Sequence, residues 1–223
     1  MIIPWINHVT ARSLELRRLR HAMKSHQPPA SAELESLSKL KAIWRIGIPT
    51  QNDRFMSVCS GAIDEERYVV QLDAEVFYRA WLESSPAFRK KRSSDCLCRD
   101  QMHADYKFKS AATGFSHGVT NPVPLAEAGA HRSSDGHVYV GFTNGVTRTF
   151  WLLANHCPAF PVKVCGLEGA MILHETAGLG ARPTPLSELF SQASCEIHRT
   201  PCTNLEILNP KPQHAGVASG KRN

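Results

Sequence analysis

HVYVGFTNGVTRTFWLLANHCPAFPVKVC, residues 137 to 165, carries three patterns in succession. Val138, Tyr139, Val140 and Phe142 form an extended, β-branched and aromatic run, and Asn144-Gly145 punctuates it. Thr147 to Asn155 then reads as a helix that gives way to Pro158 and a second strand, Val162 to Cys165. Asn-Gly readily supplies positive φ, so the backbone is expected to turn sharply out of the first strand. Thr147 is the expected N-cap. The first amides of a helix lack internal partners and lie at the positive end of its macrodipole, which makes a helix start an anion seat. Arg148 adds a planar cation whose fork matches phosphate. Asn144, Gly145, Thr147, Arg148 and Thr149 are therefore the expected phosphate-binding residues. The competing reading pairs Arg148 with a carboxylate and leaves Asn144-Gly145 as a plain turn.

Upstream of this unit, Val9 to Ser25 reads as a basic, partly amphipathic helix with Leu14, Leu16 and Leu19 among Arg12, Arg17, Arg18, Arg20 and Lys24. Pro28-Pro29 interrupts it, and Ser31 is placed to cap a second helix through Leu34, Leu37, Leu40 and Ile43. Residues 1–50 are thus expected as a helical extension. Phe55 to Cys59 and Arg67 to Leu72 read as a β-hairpin around an acidic turn. Asp73 is the expected cap of a helix carrying Val76, Phe77, Ala80, Trp81 and Leu82 on its apolar side and ending before Pro86. The stretch Ala126 to Gly136 reads as a polar loop with a turn at Ser133 to Gly136. Beyond Cys165, a short helix is expected over Glu168 to Glu175. Thr184-Pro185 opens another through Leu186, Leu189 and Phe190, with proline at its first helical position. Residues 51–209 are expected as one α/β domain. The Pro-, Gly- and Lys-rich segment 210–223 is expected as a disordered tail.

Of the 223 residues, 42% are hydrophobic, ordinary for a globular protein with a buried core. The formal charge of +6 favours acidic partners, a class that includes nucleic acid, nucleotide and acidic protein surfaces. Arg89-Lys90-Lys91-Arg92 is the densest cationic cluster and a candidate nucleic-acid contact; its competing reading is a solvated loop. No run approaches the roughly 20 apolar residues of a membrane helix, and Met1-Ile2-Ile3-Pro4-Trp5 lacks signal-peptide character, so a cytoplasmic protein with no membrane insertion is expected. Seven cysteines, an odd number at irregular spacing, argue against a disulfide framework. Cys96-x-Cys98 has no paired second half, and Cys195, His198 and Cys202 lack a fourth ligand, so no metal site is expected.

The run from Asn144 to Arg148, the helix ending near Leu153-Ala154 and the strand Pro161-Val162-Lys163-Val164 together resemble the signature of the ParB/sulfiredoxin superfamily. That signature is an amide or acidic residue and glycine, two variable residues, arginine, an alanine-containing helix and a closing Pro-Val-x-Val strand. Asn121-Pro122-Val123-Pro124-Leu125 is similar to the superfamily's preceding strand, so the match spans about residues 115 to 165. Within the superfamily the sequence resembles the plasmid fertility-inhibition factors, small plasmid-encoded proteins that block DNA transfer by an unrelated conjugation system. The resemblance implies a mixed α/β fold (α+β mixed): a small twisted sheet with the Thr147–Asn155 helix packed on it and extra helices at both ends. It also implies that His103, Asp105 or His117 stands near a bound nucleotide.

Two departures shape the expected chemistry. Val146 stands where sulfiredoxins carry their catalytic cysteine, which excludes thiol-based sulfinic acid reduction. Thr147 stands where ParB proteins usually carry a basic residue or histidine, which removes one charge from the triphosphate grip.

The resemblance implies inhibition of DNA export through a conjugation or type IV secretion system. One route is nucleotide-dependent DNA processing, with ATP or CTP and Mg2+ as cofactor. A second is a non-enzymatic module that occupies the coupling ATPase or the transferred nucleoprotein, favoured by the lack of a P-loop or an evident general base beside Arg148. A third is a ParB-like DNA-binding protein, although no helix-turn-helix pattern follows Cys165. If Arg89, Lys90, Lys91 and Arg92 contact nucleic acid, changing all four to glutamine weakens DNA binding for every sequence and flattens its salt dependence in a fluorescence titration. Unchanged binding identifies the cluster as a solvated loop.

Overall fold

The computed structural model describes residues 3–61, 66–85 and 95–196. The Arg89–Arg92 cluster, His198, Cys202 and the 210–223 segment lie outside the described residues. The architecture is mixed α/β, with two mixed sheets and several packed helices.

The chain begins with helix α1 (Ile3–Ala22), whose Arg12 is buried and donates to the Leu82 and Ser85 carbonyls. The helix expected after Ser31 is instead the hairpin β1 (Glu33–Leu37) and β2 (Lys41–Ile46), with Leu34 opposite Trp44. The leucines spaced by three mimicked a helical stripe, yet Leu40 is 73% exposed in the connecting turn. The pattern that decides the element has period two: Ala42, Trp44 and Ile46 are buried, and Lys41, Ile43 and Arg45 less so. Strand β3 (Arg54–Cys59) continues this antiparallel sheet, so hydrogen bonding crosses residue 50 without a break.

Strand β4 (Arg67–Asp73) forms where expected but does not make a hairpin with β3. It enters the second sheet, and its end runs directly into helix α2 (Ala74–Ser84). Asp73 is the N-cap: its Oδ1 accepts from the amides of Glu75 at 3.1 Å and Val76 at 3.2 Å. His26 Nε2 stands 2.6 Å from the other carboxylate oxygen, tying the segment after α1 to this junction. The cap is 3% exposed.

After a 3-10 turn (Arg99–Ala104) come α3 (Phe108–Ser116) and β5 (Val123–Pro124), which pairs in parallel with β3 and completes the first sheet. The expected polar loop is then strand β6 (Ala126–Arg132), between β7 (Val138–Asn144) and β8 (Ala159–Cys165). Alanine and glycine have weak strand preference, and pairing on both sides overrides it. Helix α4 (Val146–Ala154) links β7 to β8. Helix α5 (Leu167–Ala177) follows, and Thr184–Pro185 is a short edge strand, β9, on β4. The last helix, α6 (Leu186–Glu196), therefore opens at Leu186 and not at the proline. An edge position suits proline, which has no amide to donate.

The second sheet runs β7-β6-β8-β4-β9. One core joins it to α2 and α4: Phe77 meets Phe142 and Phe160 edge-on, and Trp81 stacks on Phe150 with centroids 5.1 Å apart. These aromatics carry out the packing their spacing in α2 implied. Asp73→Ala is expected to lower the unfolding free energy by about 1–2 kcal/mol in a urea titration, and Asp73→Asn to recover most of it. An alanine variant with wild-type stability would remove the cap from the forces holding α2.

Candidate functional site

The β7–α4 junction opens onto a cleft of about 1320 Å³. One wall is the α4 start with β5, and the other is formed by α3 and the turn before it. The turn at Gly145 has φ 95°, ψ 14°, the left-handed conformation implied by Asn-Gly. Gly145 is itself the N-cap, so Thr147 is a residue inside the first helical turn and not the cap expected from its side chain. The reason is crowding. A Cβ on Gly145 would lie 2.7 Å from Ala126 Cβ and 2.8 Å from Ala126 Cα, so only glycine lets the helix start press onto β6.

Arg148 reaches from that turn to the neighbouring strands. Its Nη1 donates to the carbonyls of Pro124 at 2.6 Å and Leu125 at 3.2 Å, and Nη2 donates to Asn144 Oδ1 at 3.4 Å. Burial lowers the guanidinium pKa, and the Glu127 carboxylate opposes that shift. Thr147 Oγ1 donates to Asp105 Oδ1 at 3.0 Å, and the same oxygen accepts the Lys107 amide at 2.9 Å. Thr149 departs from expectation: it is fully buried, bonds back to the Gly145 carbonyl at 3.0 Å and does not line the cleft. A threonine one turn into a helix commonly bonds the carbonyl four residues back, so its inward rotation competes with ligand contact.

Asn144, Gly145, Thr147 and Arg148 do come together on one wall, and Lys107, His117 and Asn121 face the same cleft. Of the residues raised by resemblance, Asp105 and His117 line it, whereas His103 is exposed and packs its ring 4.6 Å from Phe108. Asp105 is the carboxylate beside the helix start. Glu127 is the carboxylate the sequence reading missed: β6 sets it 2.6 Å from Lys163 and 3.5 Å from Arg67. The Lys163 hydrogen bond is the main influence holding Glu127 below the usual carboxylate range. The pairing of β6 with β8, Glu127 opposite Lys163, and of β4 with β8, Arg67 opposite Cys165, brings these charges together, and no local pattern announces it. Among the described residues no three His, Cys, Asp or Glu side chains form a metal cluster.

A family model described as plasmid fertility inhibition factor matches residues 69–178, which include α2, the cleft and the β7–α4–β8 unit. Protein osa of Shigella flexneri is 34% identical over 181 residues, covering 80% of this chain and 92% of that protein. The chain belongs to the plasmid fertility inhibition factor family. A solved relative agrees in three dimensions: the crystal structure of oncogenic suppression activity protein, described as a plasmid fertility inhibition factor and solved as a gold(I) cyanide derivative, superposes with a TM-score of 0.73 at 31% identity. That superposition covers 85% of this chain and 98% of the relative. No helix among the described residues of this fertility inhibition factor is long and apolar enough to cross a membrane.

Gly145→Ala combines left-handed strain, about 1–3 kcal/mol, with overlap onto Ala126. Thermal unfolding is expected to occur at a clearly lower temperature than in wild type. An unshifted midpoint would mean that α4 and β6 separate without cost.

Proposed function

We propose that this fertility inhibition factor blocks DNA export by another conjugation or type IV secretion system through a phosphate-binding cleft at the start of α4, in a ParB/sulfiredoxin-like core. The observation carrying the reading is the Gly145 turn, which presents the first amides of α4 to a cleft also lined by Arg148, Lys107 and His117. The three leading amides have no partner four residues back, so a phosphate there meets donors and the positive end of the helix together. ATP or CTP is the proposed ligand, and nucleotide-dependent processing of the exported DNA is the proposed activity.

Mg2+ fits the donor set. Asp105 uses Oδ1 for Thr147 and the Lys107 amide, which leaves Oδ2 as the oxygen to face a cation. Bound there, Mg2+ would neutralise phosphate charge. The residues of the chain do the rest: the α4 amides and Lys107 hold the phosphates, and Arg148 fixes the β5–β6 backbone against the helix start.

One observation favours the second reading, a non-enzymatic module on the coupling ATPase or the transferred nucleoprotein. Arg148 and Thr147 already have partners inside the protein, so the cleft is stable without a ligand.

Titration calorimetry with ATP and CTP in the presence of Mg2+, on wild type and Lys107→Ala, is read beside a mating assay. The cleft reading expects wild-type binding, an affinity loss of about tenfold or more in the variant, on the scale of one charge-assisted contact, and a parallel loss of transfer inhibition. No binding at millimolar nucleotide, with inhibition intact in both proteins, would leave the binding module.

A further inference from the structure

Tyr106 is 84% exposed, the most exposed of the large hydrophobic side chains among the described residues, and it lines the cleft. A phenol ring that far out of the core adds little to folding, so packing does not explain its place. Its backbone is nonetheless fixed. Asp105 Oδ1 accepts the Lys107 amide at 2.9 Å, and the Phe108 amide donates to the Asp105 carbonyl at 3.0 Å, so Tyr106 sits at the head of a closed turn leading into α3. The same carboxylate oxygen holds Thr147 at the start of α4. One aspartate thus sets an exposed aromatic ring and the phosphate seat in a fixed relation.

The ring's surroundings are also selective. The Lys107 ammonium lies 5.1 Å from the ring centroid, over one face, and the high exposure leaves the other face open. Where α3 lines the cleft it presents Ser110, Ala111, Gly114 and the nearby His117, mostly small side chains that leave room for a flat group. A ring at the rim of a phosphate-binding cleft, with a cation on its back, suits a ligand that has a planar π-system at one end and phosphates at the other.

We infer that Tyr106 is the base-stacking residue of this cleft, so that the ligand is recognised as a nucleotide and not as a bare phosphate chain. The inference rests on the phosphate-seat reading proposed above. Lys107 then serves both ends of the ligand: it stands over one face of the tyrosine ring and lines the cleft proposed to take the phosphates.

The test compares ATP with inorganic tripolyphosphate by titration calorimetry, both with Mg2+, on wild type, Tyr106→Ala and Tyr106→Phe. Wild type is expected to bind ATP more tightly than tripolyphosphate by roughly tenfold or more, the scale of one base–aromatic stack. Tyr106→Ala is expected to lose that difference by weakening ATP alone, and Tyr106→Phe to keep it. Retained tripolyphosphate binding also shows that the alanine variant is folded. Equal wild-type affinity for the two ligands, or unchanged ATP binding by Tyr106→Ala, overturns the stacking role while the phosphate seat stands. Failure of wild type to bind either ligand overturns the seat and the stack together. Loss of transfer inhibition in Tyr106→Ala with ATP binding intact overturns it too, and assigns the ring to a protein partner.

Discussion

The contact of Gly145 with Ala126 is the constraint on which the site half of the molecule depends. It brings the first turn of α4 against β6 at a separation no side chain would permit. That approach sets the Arg148 guanidinium within reach of the Pro124 and Leu125 carbonyls, where β5 leaves the first sheet and the chain enters the second. The arginine thus fastens α4 to the chain as it passes from one sheet to the other, and the cleft lies beside that fastening. Arginine suits this task because its donors lie in one plane and can meet neighbouring carbonyls without reorganisation. Burial dominates its electrostatics and Glu127 opposes it in part, while the carbonyl bonds satisfy its donors, so the residue read from sequence as a ligand hook is at least as much a structural fastener.

How far this was legible in the sequence follows from where the information lies. The β7–α4–β8 unit could be read because its strands are β-branched and aromatic, its turn is Asn-Gly and its helix has an apolar face. Strand and helix identities there are local, and Asp73 at the head of α2 is local in the same way. The β1–β2 hairpin was hidden by leucines at a spacing of three, an accident of a turn residue, Leu40, that is mostly exposed. Strand β6 was hidden for the opposite reason. Its sequence is alanine, glycine and polar residues, and it is a strand because β7 pairs with it from Glu127 to Arg132 and β8 pairs at Ala126 and Glu127.

The site shows the same division. The turn at Asn144-Gly145 and the helix start that carries Arg148 were legible because turn chemistry and a helix start are written in consecutive residues. The inward rotation of Thr149 was not, since a threonine at that position is equally able to face solvent. The positions of Lys107 and Glu127 were not legible because they come from packing: the start of α3 against the cleft in one case, and the register of β6 with β8 in the other. Asp105 and His117 line the cleft by packing that spacing along the chain does not show.

Asp105 gives the cleft its internal tension. A carboxylate hydrogen-bonded to Thr147 places a negative charge at the positive end of α4, where the helix field stabilises it. An incoming phosphate competes for that same field and is repelled by the carboxylate. A phosphate bound as proposed would therefore need its charge shared with a cation, so the residue that ties Thr147 to the turn before α3 also bears on the proposed ligand. A neutral hydrogen-bonding residue at position 105 would hold Thr147 as well but impose no such condition. The proposed seat therefore differs from a simple helix-terminus anion site: a charge of the ligand's own sign stands beside the helix start, held there by the Thr147 hydroxyl and the Lys107 amide.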